Sequence, residues 1–402
     1  MRFWKSPPWY LLMAVTMLLF GANLYQTFSH QNSTSNDFLN YAIFIAHMKS
    51  SGTVTTPHFI FPGLVLLLSK IFPRHNTMVL GGVVVLLFQL LLAHVLWIFW
   101  KQSIPESGHP HLRAARRGWL LVALTVAAMT VAPINLLTLL KHNGYNGYIG
   151  ITIYHNPPIS LCRPIALVNV MIFAAAFVYR RISTRQTIFC FLTLAIAALT
   201  KPNYALIMVP TAGVFALMAL NRKDWHLLRF IALGVLLPGV LILAWQYVFT
   251  YLHPPATSDM DSSRILFAPF LVYSIMARFL IPKFFLSILF PLSVLLLYRK
   301  EALQDRYFQL GLVLFLMGAA QSYFFAEEGV RLIKGNFLWS GQLGLFLWFV
   351  ISMRFIVQRF FFEPDRTRWS GKFVVVSGIF ALHVVSGILW YIVETTSPGA
   401  YW

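Results

Sequence analysis

The chain has 402 residues, a formal net charge of +19, 58% hydrophobic and 16% aromatic residues, and a mean hydropathy of +0.70. Apolar runs near the roughly 20 residues needed to cross a bilayer recur along it, which excludes an ordinary soluble domain, and no period-two alternation points to an outer-membrane barrel. Nor does the charge mark a nucleic-acid binder: basic residues punctuate the ends of apolar segments, with no separate basic domain, RNA-binding signature or zinc spacing.

Arg2 and Lys5 precede the first apolar run, 9–28. No small-x-small cleavage site follows, so this run is expected to be an uncleaved anchor with its N-terminus inside. A polar stretch then leads to Asp37, the first acidic residue of the chain. A lone carboxylate beside a membrane is costly to keep. Asp37, Asn40, Tyr41, Phe44 and His47 fall on one helical stripe, with Phe38, Leu39, Ile43 and Ile45 elsewhere on the helix. The pattern predicts a helix lying on the outer membrane surface, capped by Ser35 or Asn36. In the first turn the helix dipole favours an ionised carboxylate. Asp37 is then either a good helix-start residue or a group able to take a proton from a hydroxyl. Asn32-Ser33-Thr34 fits the glycosylation sequon, which matters only in a eukaryotic secretory compartment.

Residues 58–72 are apolar but short. If they spanned, every later loop would invert and the basic loop 101–118 would lie outside. A short or re-entrant helix is expected instead, packed in protein. The remaining apolar segments are 77–100, 119–140, 161–179, 187–200, 203–220, 227–249, 283–298, 307–325, 337–357 and 373–393. With 9–28 they predict an all-α polytopic membrane protein of about 11 transmembrane helices (range 10–13), with amphipathic juxtamembrane helices in the first outer loop. This threading places 20 of 31 Lys and Arg inside, as the positive-inside rule requires. His109, His111 and the Arg-rich inner loops read as orientation signals and anionic-lipid contacts. Without a visible repeat or a soluble stretch of domain size, residues 1–402 read as one membrane domain, whose outer loop 29–76 carries the acid. Cys162 and Cys190, in or beside apolar runs, suggest neither a disulfide framework nor a metal site.

Four further outer stretches carry polar groups. The second loop holds Lys141, His142, Asn143, Tyr145, Asn146 and Tyr148, then Tyr154, His155, Asn156 and the Pro157-Pro158 pair, with Arg163 just inside the next apolar run. It is either an interfacial loop with aromatic anchors or a sugar- or phosphate-binding one. Lys201-Pro202-Asn203 interrupts two apolar halves; Lys201 is a snorkelling lysine or a partner for a lipid phosphate. Asp259 and Asp261 can hold a divalent cation through hard oxygens or remain solvated loop acids. The stretch 326–339 holds Glu327, Glu328, Arg331, Lys334 and Asn336, either pairing internally or forming a cleft for an anionic headgroup. No P-loop, nucleophile elbow or zinc-protease helix occurs, which disfavours ATP-driven transport by this chain alone.

The layout resembles the GT-C superfamily of integral-membrane glycosyltransferases. The likeness rests on a first apolar helix leading into a long outer loop with an acid, Asn36-Asp37-Phe38-Leu39-Asn40-Tyr41, followed by Thr56-Pro57-His58-Phe59-Ile60-Phe61-Pro62-Gly63-Leu64. Tyr154-His155-Asn156-Pro157, Thr200-Lys201-Pro202 and Gly335-Asn336-Phe337 look like a bacterial branch without a named substrate. Protein O-mannosyltransferases and lipid A aminoarabinose transferases have an acidic pair in this loop; here Asn36 precedes Asp37 and the pair is absent. Their large soluble C-terminal domain has no counterpart either.

The resemblance implies a polyprenyl-phosphate-linked sugar as donor, a glycan, lipid or protein as acceptor, and a bacterial inner (cytoplasmic) membrane. Phosphate is already a competent leaving group and needs positive charge rather than a proton donor. Only the incoming hydroxyl needs a base, whereas a glycosidase needs two opposed carboxylates. The implied assignment is inverting transfer at the outer face with Asp37 as base. Lys201, Arg331, Lys334 and Arg163 would hold the phosphate. Tyr41, His58, His155, Asn156, Glu327 and Asn336 would line the substrate site, and no metal ligand is assigned. The alternatives are a polysaccharide polymerase or O-antigen ligase, which favour a large late outer loop, and a lipid-linked-sugar transporter or flippase, which inverted repeats and paired broken helices would mark.

Overall fold

Helix boundaries follow the capping chemistry of the sequence. In a computed structural model, residues 6–29, 37–104, 114–141, 145–152, 154, 156–180, 182–252, 264–362 and 370–397 are described. The helices are α1 (Pro7–Ser29), α2 (Asp37–Ser51), α3 (Ile60–Ile71), α4 (Thr77–Ser103), α5 (Ala114–Thr130), α6 (Leu136–Lys141), α7 (Pro157–Tyr179), α8 (Thr184–Thr200) and α9 (Pro202–Asn221). They continue as α10 (Trp225–Ile231), α11 (Leu237–Tyr247), α12 (Leu271–Met276), α13 (Leu280–Leu297), α14 (Arg299–Gln304), α15 (Arg306–Phe324), α16 (Leu338–Phe362) and α17 (Gly371–Thr396). Asn76, Asn156, Ser183, Asp224, Asp305 and Ser370 each accept a first-turn N–H of the helix they precede, meeting donors that have no intrahelical partner.

Nine helices among the described residues are long and apolar enough to cross a membrane, and the chain is a multi-pass helical membrane protein. One predicted segment ends earlier than read from hydropathy: α5 stops at Thr130 rather than running to 140. α8 starts before the predicted run 187–200, at Thr184, and has 17 residues. α3 has 12 residues, about 18 Å at 1.5 Å per residue, against a hydrocarbon core of about 30 Å. It lies against α4, where a Cβ on Gly81 would come within 3.3 Å of Phe61.

Loop ends that the charge rule assigns to one side do meet at one end of the bundle. There Asn156 reaches Asp37, Asn203 reaches Asn336, Gln246 reaches the Pro57 carbonyl and Tyr251 reaches Glu327. At the opposite end Arg180 pairs with Asp224, Arg354 with Asp305 at 3.4 Å and Arg359 with Glu301 at 3.8 Å. α15 and α16 lie close because they meet through small residues: a Cβ on Gly318 would sit 2.4 Å from the Ser340 carbonyl oxygen, and one on Gly344 2.8 Å from that of Leu314. Close backbone approach through small residues is how helices associate where no hydrophobic gain separates helix from lipid.

Two features depart from an all-helical reading. Ile265–Phe267 (β1) pairs antiparallel with Phe325–Glu327 (β2), Ile265 opposite Glu327. Between α5 and α6 the backbone unwinds over residues 131–135 while remaining buried. Its polar groups are met by α17 and α13. Ala132 N–H donates to the His383 carbonyl at 3.4 Å, Ser386 Oγ donates to the Pro133 carbonyl and accepts Asn135 N–H at 2.9 Å, and Ile134 N–H donates to the Leu286 carbonyl at 3.1 Å. Non-helical backbone at this depth persists only when so enclosed. Gly387 makes room for it; a Cβ there would lie 2.1 Å from the Thr130 carbonyl oxygen.

Candidate functional site

Asp37 occupies the first turn of α2, half-buried. The predicted caps Ser35 and Asn36 lie outside the described residues. The helix packs differently from its polar stripe. The buried face is Phe38, Tyr41 and Ile45, with Asn40 and His47 exposed. α3 folds beneath α2 and takes that face: Phe61 meets Phe38 at 6.4 Å and Tyr41 at 5.4 Å, both edge to face. Sequence polarity alone had grouped Tyr41 with Asn40 and His47, but a ring with an apolar body is drawn to the packed side.

Asn156 fixes the Asp37 carboxylate. Its Oδ1 accepts Ile159 N–H at 3.1 Å as the α7 cap, so its Nδ2 must point away and donates to Asp37 Oδ2 at 2.6 Å. The amide cannot flip without losing the cap.

Lys201 sits in extended backbone between α8 and α9, 5% exposed. Its Nζ lies 5.0 Å over the Trp339 ring, within electrostatic reach of Asp37 and Glu327. Pro202, at the first position of α9, forces this break, since the residue before proline is pushed out of the helical region.

Glu327 ends β2 and is 4% exposed. It accepts from Tyr251 Oη at 2.6 Å and from Asn336 Nδ2, and pairs with Arg331 at 3.7 Å. Asn336 is held in turn, its carbonyl accepting Asn203 Nδ2 at 2.8 Å. Arg331 lies 5.7 Å over the Tyr251 ring. Tyr251 itself is carried by a π-helical turn, Val248–Leu252, which re-aims the end of the α11 segment. A narrow crevice with no room for a water molecule lies beside Glu327, Arg331 and Asn336.

His58 completes the group. Its ring stands 5.9 Å from Tyr41, edge to face, and its Nδ1 is buried without a hydrogen-bond partner among the described residues. Burial, then the nearby charges of Lys201 and Arg331, push its pKa down to about 3, so near neutrality the imidazole is uncharged and able to donate at one nitrogen and accept at the other. Burial and then the Asp37 charge push the Tyr41 phenol well up, leaving it protonated.

No protein-family model, no curated protein and no solved structure matches this chain.

The structure therefore brings together Asp37, Tyr41, His58, Asn156, Lys201, Glu327, Arg331 and Asn336 from separate parts of the chain. Arg163 stands apart. It is 2% exposed, donates to the Ile151 carbonyl and lies 5.0 Å over Phe346, bracing the second outer loop from within. Lys334 is exposed at the end of the 3-10 turn Gly329–Lys334. His155, Asp259 and Asp261 lie outside the described residues; among the described ones no three His, Cys, Asp or Glu group as a metal site.

Some participants had no assigned role from sequence. Gln246 was legible as a lone amide within the apolar run 227–249, a position that polar residues rarely occupy without a partner; it donates to the carbonyls of Pro57 at 3.2 Å and Ala198 at 2.9 Å, tying the His58 loop to the α8 end. Lys283, 0% exposed, donates to the Asn146 carbonyl at 2.7 Å and lies 5.3 Å over Tyr148. It anchors the described part of the second loop, residues 145–152 and 154, which packs against α13 and α17 rather than lying at an interface; Tyr145 stacks on Trp390 at 4.1 Å. Tyr251 and Trp339 carried no sequence signal beyond being aromatic.

Proposed function

We propose that this chain is a GT-C-type membrane glycosyltransferase that moves a sugar from a polyprenyl-phosphate donor to a hydroxyl of a glycan, lipid or protein acceptor, with inversion, at the outer face of a bacterial inner membrane. The observation that carries the reading is the placement of the Asp37 carboxylate within electrostatic reach of the buried Lys201 ammonium, which together with Arg331 also lies near an uncharged His58. A carboxylate base that takes a proton and cations that stabilise a departing phosphate are the two requirements of this reaction.

In the reaction the acceptor oxygen attacks the anomeric carbon from the face opposite the phosphate. The new C–O bond forms as the anomeric carbon–phosphate oxygen bond breaks, and that electron pair leaves on the polyprenyl phosphate. The acceptor proton passes to Asp37. Oδ2 is occupied by Asn156, which leaves Oδ1 to receive it. Lys201 and Arg331 stabilise the phosphate, and His58 with Tyr41 offers hydrogen bonds to sugar hydroxyls.

Purified protein is incubated with polyprenyl-phosphate sugars and a membrane-lipid extract, and products are sought by mass spectrometry as a pentose- or hexose-sized gain, with Asp37→Asn alongside. Product from wild type and none from a folded Asp37→Asn is expected. Undiminished transfer by that variant would remove Asp37 as base. A lipid-linked-sugar carrier is the second reading, favoured by the two helix interruptions at 131–135 and Lys201. Movement of donor across vesicle membranes without turnover would select it.

A further inference from the structure

At the end of the bundle opposite Asp37, α7, α9 and α15 bring three arginines together. Arg180 follows the last residue of α7 in left-handed backbone, Arg222 follows α9, and Arg306 opens α15. Arg222 and Arg306 both lie within electrostatic reach of Arg180. Among the described residues one carboxylate pairs with them: Asp224 with Arg180, whose side chain is still 42% exposed. Arg306 is committed elsewhere, donating to the Phe177 carbonyl at 3.3 Å and lying 5.6 Å over the Phe177 ring. Arg222 is exposed.

Two observations besides charge place this cluster at a lipid headgroup layer. Tyr179 and Trp225, each next in sequence to a member of the Arg180–Asp224 pair, are 54% and 63% exposed, and amphipathic rings of this kind settle at the membrane–water interface. The helices that lead into it, α7 and α9, are of membrane-spanning length and composition, so the arginines stand at the ends of apolar columns where phosphodiesters lie. Like charges held together with one counter-charge repel unless an anion joins them.

We infer that the Arg180–Arg222–Arg306 junction is a binding site for an anionic phospholipid headgroup, its phosphodiester joining the exposed guanidinium edges of Arg180 and Arg222 while the acyl chains lie along α9, whose Leu217 and Leu220 are exposed. Guanidinium forks match phosphate oxygens two at a time, as an ammonium does not. The site is independent of the transfer chemistry at the other end.

The test is native mass spectrometry of the full chain released from nanodiscs of equal phosphatidylglycerol and phosphatidylcholine. Preferential retention of phosphatidylglycerol is expected. Arg222→Gln, an exposed change that leaves the fold intact, should weaken that retention about fivefold, the equivalent of about 1 kcal/mol per basic residue at an anionic surface. Arg74→Gln, at the other end, should not. Equal retention of both lipids, or an equal loss in Arg74→Gln, would overturn the site. Inorganic phosphate at millimolar concentration should fail to displace the lipid; full displacement would reassign the cluster to a free phosphate.

Discussion

Asn156 donates to Asp37 Oδ2 at 2.6 Å while its own Oδ1 is held by Ile159 N–H at 3.1 Å. The start of α7 thus sets the direction of a carboxylate 119 residues earlier. Asn156→Ser keeps a competent cap but cannot reach Asp37. Near-wild-type thermal stability with transfer reduced by about 10²-fold is expected, as small misplacements of reacting groups cost. Asn156→Asp also caps, yet sets a second carboxylate against Asp37. A rate that rises with acidity in that variant alone would register the shared proton.

Glu327 divides charge from hydrogen bonding. Glu327→Gln retains an acceptor for Tyr251 or Asn336 but releases Arg331. Transfer should fall while the thermal midpoint moves little. Glu327→Ala leaves the Tyr251 hydroxyl and Asn336 amide without their acceptor, at a cost of about 1–3 kcal/mol. A lowered midpoint in Ala but not Gln, read by scanning fluorimetry in detergent, checks this.

His58 gives a stability trend with a fixed sign. Its folded pKa is pushed from 6.5 down to about 3. Between those values the unfolded chain binds a proton that the folded one does not, so folded stability falls as pH drops below 6.5, by at most about 1.4 kcal/mol per pH unit for one group. Above 6.5 the histidine contributes no slope. His58→Gln should flatten the thermal midpoint between pH 4.5 and 6.5 and leave it unchanged at pH 7.5.

Gly387→Ala should be the most damaging small substitution in α17. Its Cβ would come 2.1 Å from the Thr130 carbonyl oxygen and 2.9 Å from Ala132 N. Backbone on both sides cannot yield as a flexible side chain would, and overpacking of this kind costs about 1–3 kcal/mol or more. Gly378→Ala, with open space around its position, is the control; equal yields and midpoints for the two variants would contradict this account.

Hydropathy and charge made the multi-pass architecture legible because lipid demands long apolar helices with basic ends. Asp37, Lys201 and Arg331 were legible as polar groups where polar groups are costly. The internal fate of each loop was not. Nothing local distinguishes Arg163, turned onto the Ile151 carbonyl, from Lys201, seated over the Trp339 ring within electrostatic reach of Asp37; both are cations near the ends of apolar runs. The α2 face was misread because Tyr41 satisfies either a polar or an apolar stripe, and only α3 decides. The break at 131–135 was passed over although Pro133 marks it, because its residues are mostly apolar and its partners, His383 and Ser386, come some 250 positions later.

That distance bears on how the protein is made. The bare carbonyls of Ala132 and Pro133 are synthesised long before the His383 and Ser386 side chains that bond them. During insertion the segment between α5 and α6 has no lasting structure of its own to adopt. α17 arrives late and closes the assembly as a latch. Nascent chains halted before it should be held by chaperones or cleared by membrane proteases, even though the whole Asp37 cluster is already present in them.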